Sequence, residues 1–378
     1  MNSESLLVSR VGRLGVIRLN RPTALNSLTL GMVQGFARAL DEFGADAKIC
    51  AVLVSGTGER GLCAGGDIRG LYELRGATHN PYKQFWREEY RLNARIASFP
   101  KPYVVVMDGV VMGGGVGISA HGNRRLVTER TRLAMPETGI GFIPDVGGTW
   151  LLTRDDSGVG IYLALSGTSV SAADAISLGL ADFSIGSADI PRLMNELATV
   201  QRSEDVDAVL LRFTQGPGPG VFARHRSLLE TAMANDRIEG ILASLAADNS
   251  DFARQAILEI GSKSPTSLRV THELLKCARF ADKLESCLTR EFRAACRLLE
   301  TSDLYEGVRA ALIDKDKRPH WSPATLAEVS EDSITAILQG TGDPEPAYQP
   351  WAQGKWGSPQ HAQSTGCAVG SSMQGARG

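Results

Sequence analysis

Two glycine-rich loops in this sequence each follow an apolar run that is typical of a buried strand. The loop CAGGD at 63–67 follows the run 51–54, and the loop MGGGVG at 112–117 follows the run 103–107. Glycine allows the backbone to approach a ligand closely and to point N–H groups at it. One N–H from each loop would form a two-donor oxyanion hole, which acyl-transfer chemistry requires. Each loop alone also fits a tight turn, but their shared position after core strands favours a functional site.

A third candidate is a glutamate on the apolar face of a predicted helix. The segment 81–99 has helical periodicity, and Glu89 shares a face with apolar residues at three- and four-residue spacing. Those residues are Tyr82, Phe85, Leu92 and Ile96. A buried carboxylate is costly unless it is paired, so Glu89 is either a hydrogen-bonded structural residue or part of a site. The sequence leaves these two interpretations equal.

Two further carboxylates, Glu137 and Asp145, lie in the segment MPETGIGFIPDVGGTW at 135–150, which glycine and proline interrupt. Spacing alone favours structural roles, with Glu137 at a helix cap and Asp145 opening a turn. Irregular segments held on a rigid scaffold are also places where catalytic groups are often found. A catalytic role for both residues is therefore the second interpretation.

The elements that would position these residues predict an α/β fold. Predicted strands at 16–19, 51–54 and 103–107 alternate with predicted helices at 30–43 and 81–99.

From about residue 188 the pattern changes to successive helices with a period of 3.6 residues. The predicted helices cover 203–214, 222–234, 239–247, 252–261, 266–280 and 283–299. We therefore expect a core at 1–187 and a helical region at 188–340. The tail at 341–378 is rich in Gly, Pro, Gln and Ser, and we expect it to have no fixed structure beyond its start.

Composition argues against several classes of function. The 378 residues carry 40 basic and 42 acidic side chains, a balance that does not favour nucleic-acid binding. No apolar run reaches the length of about 18 residues that predicts a membrane span. The histidines lack metal-ligand spacing, so no metal site is predicted. Six cysteines without C-x-x-C pairs fit a reducing compartment. We expect a cytoplasmic protein, or a mitochondrial matrix protein if a presequence has been removed.

Several segments resemble the crotonase, or enoyl-CoA hydratase/isomerase, superfamily. They are LNRPTALNSL (19–28), CAGGDIR (63–69), FWREEYRLN (85–93), MDGVVMGGGVGISAHG (107–122), MPETGIGFIPDVGGTWLL (135–152), SPTSL (264–268) and EGVRAALIDKDKRPHW (306–321). Their number and order extend the resemblance from about residue 6 to residue 338. Within the superfamily, the segments are most similar to the hydrolases of 3-hydroxyisobutyryl-CoA.

The resemblance implies a spiral of repeated ββα units, with C-terminal helices that close a site for a CoA thioester. Gly66 and Gly114 match the two positions whose backbone N–H groups form the family's oxyanion hole. Glu137 matches the principal acid/base or nucleophilic carboxylate, and Asp145 matches an aspartate that the hydrolases place near the acyl group. Glu89 matches a glutamate that contacts the substrate in the hydrolases.

Other matches concern the rim of the site and one departure from the family pattern. Ala24, Ala64 and Asp67 match positions at which the family contacts CoA or shapes the site. Hydratases carry a first catalytic glutamate three residues after the second glycine of the GGG run, and Gly117 stands there in this chain. The resemblance therefore does not imply hydration of a double bond by two glutamates.

The resemblance implies hydrolysis of the thioester of 3-hydroxyisobutyryl-CoA, or of a close short-chain 3-hydroxyacyl-CoA, to the free acid and CoA in valine breakdown. It implies no metal, nicotinamide or flavin cofactor. An isomerase of enoyl- or dienoyl-CoA, a non-catalytic structural subunit and an acyl-CoA carrier are the alternatives. We expect no nucleic-acid or membrane partner, and the sequence leaves a homo-oligomer open.

Overall fold

The computed structural model describes residues 4–76, 81–349 and 351. Two β-sheets form the first half of the chain. Their strands are β1 (Leu6–Val11), β2 (Leu14–Leu19), β3 (Ala51–Gly56), β4 (Gly61–Cys63), β5 (Tyr103–Met107), β6 (Val110–Met112), β7 (Arg124–Thr128), β8 (Arg132–Ala134) and β9 (Phe183–Ile185).

A repeated unit of two strands accounts for both sheets. The larger sheet has the order β1-β2-β3-β5-β7-β9, and the smaller sheet has the order β4-β6-β8. β1 and β2 form an antiparallel hairpin, whereas the later neighbours in the larger sheet are parallel. From β3 to β8, each pass of the chain adds one strand to each sheet, whereas β1, β2 and β9 belong to the larger sheet alone. The predicted spiral of ββα units is therefore confirmed.

Helices connect the strands and then make up most of the remaining chain. They are α1 (Leu30–Ala45), α2 (Ile68–Glu73), α3 (Tyr82–Ala97), α4 (Gly114–Gly117), α5 (Gly148–Leu151), α6 (Val159–Ser166), α7 (Ala172–Ser177), α8 (Ile190–Thr199), α9 (Val206–Phe213), α10 (Arg226–Met233), α11 (Ile238–Asp248), α12 (Asp251–Gly261), α13 (Pro265–Arg279), α14 (Leu284–Leu298), α15 (Ser302–Val308) and α16 (Glu331–Gln339). The predicted helical character of the chain after residue 188 is confirmed.

The boundaries agree closely at the elements that carry the candidate site. The predicted strand 103–107 is β5, and the predicted helices 30–43 and 81–99 are α1 and α3. The side chain of Thr29 accepts a hydrogen bond from the N–H of Met32 and so caps the start of α1. Apolar runs and helical periodicity were sufficient to place these elements because both signals are local.

Helices from both parts of the chain share the core of the larger sheet. α8 and α9 cover one face of that sheet with apolar side chains such as Leu193 and Leu210. The opposite face packs into a larger cluster, which contains residues of α1 and α3 together with residues of α13, α14 and α16. The division into 1–187 and 188–340 stays a prediction, and apolar packing runs across it.

The start of the tail lies against α3 and α14. Lys83 on α3 pairs with Asp343 at 2.8 Å, and Arg293 on α14 pairs with Glu345 at 2.6 Å. The ring of Trp351 packs edge-on against a phenylalanine that follows α3. The start of the tail is therefore in contact with both helices, and the domain boundary at residue 341 stays a prediction. The prediction for residues 352–378 falls outside the described residues.

Candidate active site

The two glycine-rich loops meet where β4 and β6 end, because these strands are neighbours in the smaller sheet. The N–H of Leu28 donates to the carbonyl of Gly65 at 2.8 Å and holds the first loop in place. Gly65 has a φ of 103°, which L side chains rarely adopt. A methyl group added at Gly65 would lie 3.6 Å from the backbone nitrogen of Gly114. The strand register therefore brings the two predicted loops into contact.

The candidate oxyanion-hole donors are the N–H groups of Gly66 and Gly114. Within the described residues, neither N–H group donates a hydrogen bond to another part of the chain. Gly114 is buried and Gly66 is half-buried. Because buried backbone N–H groups are nearly always paired, two unengaged donors in adjoining loops indicate a place for a ligand oxygen.

Glu137 and Glu89 lie against the second glycine-rich loop. A methyl group at Gly113 would lie 2.7 Å from Glu137 Oε1, and one at Gly114 would overlap Glu89 Oε1. The exposed fractions of Glu137 and Glu89 are only 7% and 1%. Glu137 Oε2 and Glu89 Oε1 have no hydrogen-bond partner among the described residues. Since buried carboxylate oxygens are normally paired, both side chains favour a ligand site over a purely structural role.

Asp145 completes a buried cluster of three carboxyl groups. Tyr90, which follows Glu89 on α3, donates its hydroxyl hydrogen to Asp145 Oδ2 at 2.6 Å, and both side chains are buried. Asp145 is close enough to both glutamates for its charge to act on them. The structure therefore brings together the three carboxylates that the sequence singled out in two separate segments. Tyr90 is a member of the site that sequence analysis overlooked.

Burial raises the pKa of every carboxyl group in this cluster. For Glu89, burial and then the charges of Asp145 and Glu137 raise the pKa well above its usual range. For Glu137, burial and then the charge of Asp145 do the same. Burial raises the pKa of Asp145 to about 7, although the hydrogen bond from Tyr90 opposes the rise. The cluster therefore retains protons near neutral pH and titrates as a unit.

Gly117, which stands at the position of the missing hydratase glutamate, is closely covered by other residues. A methyl group at Gly117 would lie 2.7 Å from Val146 Cβ and 2.8 Å from Asn93 Nδ2. Such contacts are too short for a real side chain, so a larger residue would have to displace its neighbours. The residue that follows Asp145 thus occupies the space into which a side chain at 117 would extend.

A mostly apolar cavity of about 170 Å³ adjoins the first loop. Its lining includes Leu28 and Phe85, and a methyl group at Gly66 would lie 3.2 Å from the Phe85 ring. A methyl group at Gly114 would lie 3.1 Å from the side chain of Leu28. Two residues that line the cavity therefore lie next to the candidate donors of the oxyanion hole.

The remaining predicted site residues are Asp67, Ala24 and Ala64. Asp67 lines the cavity, but its carboxylate pairs with Arg21 at 2.8 Å and caps the start of α2. Ala64 donates its N–H to the carbonyl of Leu25 at 3.0 Å. Leu25 follows Ala24 in the chain, and Ala24 is exposed. Asp67 therefore shapes the rim through its own bonds, whereas the predicted CoA contacts of Ala24 and Ala64 stay predictions.

Two side chains with nucleophilic or basic chemistry nearby are held in unreactive forms. Burial raises the pKa of Cys63 to about 12, so its thiol stays protonated, as the sequence interpretation of a buried thiol requires. Burial lowers the pKa of His121 to about 4, and its Nε2 lies 2.7 Å from the carbonyl oxygen of Val146. Both residues belong to the packing around the site.

Two other kinds of site have no candidate in the described ranges. No group of three or more His, Cys, Asp or Glu side chains there could hold a metal ion. No helix among the same residues is both long enough and apolar enough for a membrane crossing.

Sequence analysis also overlooked a buried glutamate, Glu291 on α14. Its carboxylate accepts hydrogen bonds from the N–H groups of Gly147 at 2.7 Å and Thr149 at 3.0 Å, in the segment that carries the cluster's aspartate. Glu291 follows Leu284 and Leu288 at helical spacing in the apolar stripe of α14. Glu291 is therefore recognisable from helical spacing in the same way as Glu89.

The chain matches a known protein family over most of its length. Residues 14–338 match the family profile described as enoyl-CoA hydratase/isomerase. The chain belongs to this family. The matched range of this enoyl-CoA hydratase/isomerase family member includes both glycines of the candidate oxyanion hole and all three carboxylates of the cluster.

Individual relatives carry different reaction names. The 3-hydroxyisobutyryl-CoA hydrolase, mitochondrial, of Rattus norvegicus is 38% identical over 345 residues, covering 89% of each chain. The Homo sapiens protein of that name is 35% identical and covers 90% of each chain. Among solved structures, a carnitinyl-CoA dehydratase from Mycobacterium thermoresistibile has a TM-score of 0.87 and 44% identity, covering 92% of this chain and 99% of its own. An enoyl-CoA hydratase from Rhodobacter sphaeroides has a TM-score of 0.84 and 35% identity, covering 91% and 100%.

Proposed function

We propose that this family member hydrolyses the thioester of 3-hydroxyisobutyryl-CoA, or of a close short-chain 3-hydroxyacyl-CoA, to the free acid and CoA. The observation that carries the proposal is the packing around Gly117. Because Val146 and Asn93 cover that position, no second glutamate can face Glu137 from there and hold water for addition to a double bond. The names of the curated relatives support the hydrolytic reaction.

The thioester carbonyl oxygen would bind between the N–H groups of Gly66 and Gly114. Negative charge develops on this oxygen when a nucleophile adds to the carbonyl carbon, and each preorganised donor stabilises it by about 3–4 kcal/mol. Neither donor has another partner in the described structure, so the hole needs no bond to be broken first. The adjoining apolar cavity is the proposed path for the arm of CoA that follows the sulfur.

Glu137 is the proposed nucleophile or general base, and two routes fit its position. In the first, its carboxylate oxygen bonds to the carbonyl carbon, the C–S bond breaks, and water then cleaves the resulting anhydride. In the second, Glu137 takes a proton from water while the water oxygen attacks the carbonyl carbon and the C–S bond breaks. The CoA thiolate leaves in both routes and needs a proton. The raised pKa values of the cluster keep a protonated carboxyl group nearby to supply it.

The 3-hydroxyl group of the substrate is the proposed basis of acyl selectivity. Glu89 and Asp145 offer carboxylate oxygens that can accept a hydrogen bond from a substrate hydroxyl. An acyl group without the hydroxyl would leave these buried acceptors without that partner, and sites built in this way reject such analogues strongly. The proposal involves no metal or organic cofactor. The cytoplasm stays the predicted location, with the mitochondrial matrix, which the relatives' names give, as the alternative.

Thiol release from 3-hydroxyisobutyryl-CoA, followed with a thiol-reactive dye, tests the proposal. Glu137→Gln keeps the size of the side chain but removes the carboxylate, which either attacks the carbonyl carbon or deprotonates water. We expect thiol release by the wild type and a rate lower by about 10²–10⁴-fold in this variant. Glu88→Gln is the matched control. Glu88 precedes Glu89 on α3, but its side chain is partly exposed and pairs with Arg91. We expect the control to retain the wild-type rate.

Crotonyl-CoA and a dienoyl-CoA, assayed in parallel by their conjugated absorbance, separate the alternatives. Loss of absorbance without thiol release would overturn the proposal in favour of a hydratase or isomerase. Binding of the 3-hydroxyacyl-CoA without any turnover would overturn it in favour of a carrier, and absence of both binding and turnover would favour a structural subunit. Equal rates in Glu137→Gln and wild type would remove Glu137 from the reaction.

A further inference from the structure

Glu291 is completely buried and sits against the segment that carries Asp145. Glu291 Oε2 accepts from Gly147 N at 2.7 Å, and Oε1 accepts from both Thr149 N at 3.0 Å and the Thr149 hydroxyl at 2.5 Å. Among the described residues no Lys, Arg or His forms an ion pair with it. Three short hydrogen bonds from one segment are therefore the main compensation for burying this carboxylate.

The segment that Glu291 contacts has an unusual backbone. Val146 has a φ of 53° and Gly147 a φ of 79°, so both residues are in the left-handed region. This conformation is unfavourable for a β-branched residue such as valine and persists only where the surroundings impose it. The two N–H groups that Glu291 holds belong to Gly147, which follows the strained residue directly, and to Thr149, which lies three residues after it. Glu291 is thus placed to impose the conformation.

The conformation of this segment decides where Asp145 points. Asp145 immediately precedes Val146, and its carboxylate meets the hydroxyl of Tyr90 at 2.6 Å. The side chain of Val146 lies over Gly117 on the other side. If the backbone at 146 and 147 relaxed, Asp145 would turn away from the cluster, and the side chain of Val146 would move from its place over Gly117. The hydrogen bonds of Glu291 are the contacts from the helical region that oppose this relaxation.

We propose that Glu291 is a positioning residue, which holds the 145–149 segment in the shape that directs Asp145 into the carboxylate cluster. The helical C-terminal region therefore contributes to the site through α14 without touching the substrate. The proposal rests on the proposed hydrolytic function for its kinetic consequence, but its structural consequence is independent of the reaction. The ionised carboxylate of Glu291 can accept a hydrogen bond from all three donors. Burial raises the pKa of Glu291 to about 7, although these hydrogen bonds oppose the rise.

Glu291→Gln tests the proposal, because glutamine retains one acceptor oxygen but presents an NH₂ group to one of the donors. We expect kcat for thiol release to fall by about 10–100-fold, with a much smaller change in KM, because a displacement near 1 Å costs about that much. Glu285→Gln is the matched control, since Glu285 also lies on α14 but is only half-buried, and the hydrogen bonds to Gly147 and Thr149 come from Glu291. We expect wild-type kinetics from the control.

Hydrogen–deuterium exchange of peptides that cover residues 145–149 gives a second readout without any substrate. We expect faster exchange there in Glu291→Gln, with the rest of the chain unchanged, and no such change in Glu285→Gln. Thr149→Val removes one of the three donors and keeps the carboxylate, so it should shift exchange and kcat in the same direction by less. This variant also tests the proposal if Glu291→Gln fails to fold.

The outcomes separate this inference from the proposed function. A wild type that releases no thiol would overturn the function, while the exchange experiment would still decide the role of Glu291. Unchanged exchange at 145–149 in Glu291→Gln and Thr149→Val would overturn the inference, whatever the activity. A lower melting temperature with unchanged kcat per folded molecule would also overturn it, because the residue would then serve stability alone.

Discussion

Tyr90→Phe is the smallest change that alters the charge state of the proposed site. It removes one hydroxyl group, which donates to Asp145 Oδ2 at 2.6 Å inside the protein. Burial holds the pKa of Tyr90 well above its usual range, so the tyrosine is a neutral donor throughout the working pH range. The hydrogen bond favours the ionised form of Asp145 and lowers its pKa. Without it, the carboxylate cluster should be harder to ionise.

The expected size of the effect follows from the geometry. A buried hydrogen bond to a charged group is worth about 1.5–3 kcal/mol. Since one pKa unit corresponds to about 1.4 kcal/mol, loss of the bond should raise the pKa of the cluster by about 1–2 units. The acidic limb of kcat/KM reports ionisation of groups in the free enzyme. This limb should therefore move to higher pH by about the same amount.

The assay is thiol release from 3-hydroxyisobutyryl-CoA, measured as kcat/KM across the pH range for wild type and variant. Tyr103→Phe is the matched control, because Tyr103 is also buried but donates its hydroxyl to the carbonyl of Ile118 at 2.7 Å. Tyr103→Phe should lower the stability of the protein, because it removes a buried hydrogen bond. It should leave the acidic limb of kcat/KM at the same pH as in the wild type.

An acidic limb that stays in place in Tyr90→Phe would refute the reasoning, and so would a limb that moves to lower pH. Either result would mean that the hydrogen bond does not stabilise the ionised cluster on which turnover depends. An equal shift in Tyr103→Phe would refute it as well, because the effect would then come from a general loss of packing.

Two further predictions concern stability. Asp145→Asn removes a carboxyl group whose pKa burial raises from 3.8 to about 7, and such a group stabilises the fold most below the lower value. The free energy of unfolding of the wild type should therefore fall as pH rises from about 4 to about 7, by up to about 1.4 kcal/mol per pH unit, and that of the variant should fall less; parallel curves would contradict this. Truncation after Gly340 removes the contacts of Asp343 and Trp351 and should lower the melting temperature by a few degrees, whereas truncation after Trp351 should leave it unchanged. Equal melting temperatures for the two truncated chains would show that the start of the tail contributes nothing.

The sequence was sufficient for features that depend on local patterns. The strand β5 and the helices α1 and α3 follow from apolar runs and helical periodicity, which act within a few residues. Glu89 was recognisable because helical spacing alone puts it on the buried face of α3. The two glycine-rich loops were recognisable because close backbone approach requires glycine at positions such as Gly65.

Tertiary structure alone decided how the local features combine. Spacing favoured a cap and a turn for Glu137 and Asp145, yet both are buried beside Glu89, because the spiral of strands stacks their segment over α3 and the second loop. Glu291 lies 142 residues beyond Thr149 in the chain, and their contact depends on where α14 packs.

The sequence by itself therefore determined which residues could do chemistry, which elements carry them and which family pattern they follow. Only the fold decided that the oxygen atoms of Glu89 and Glu137 are buried without partners and that Tyr90 donates to Asp145. The physical reason is that burial and hydrogen bonding between distant segments depend on the packing of whole elements. The pKa values of the site depend on that packing, and periodicity within one segment does not specify it.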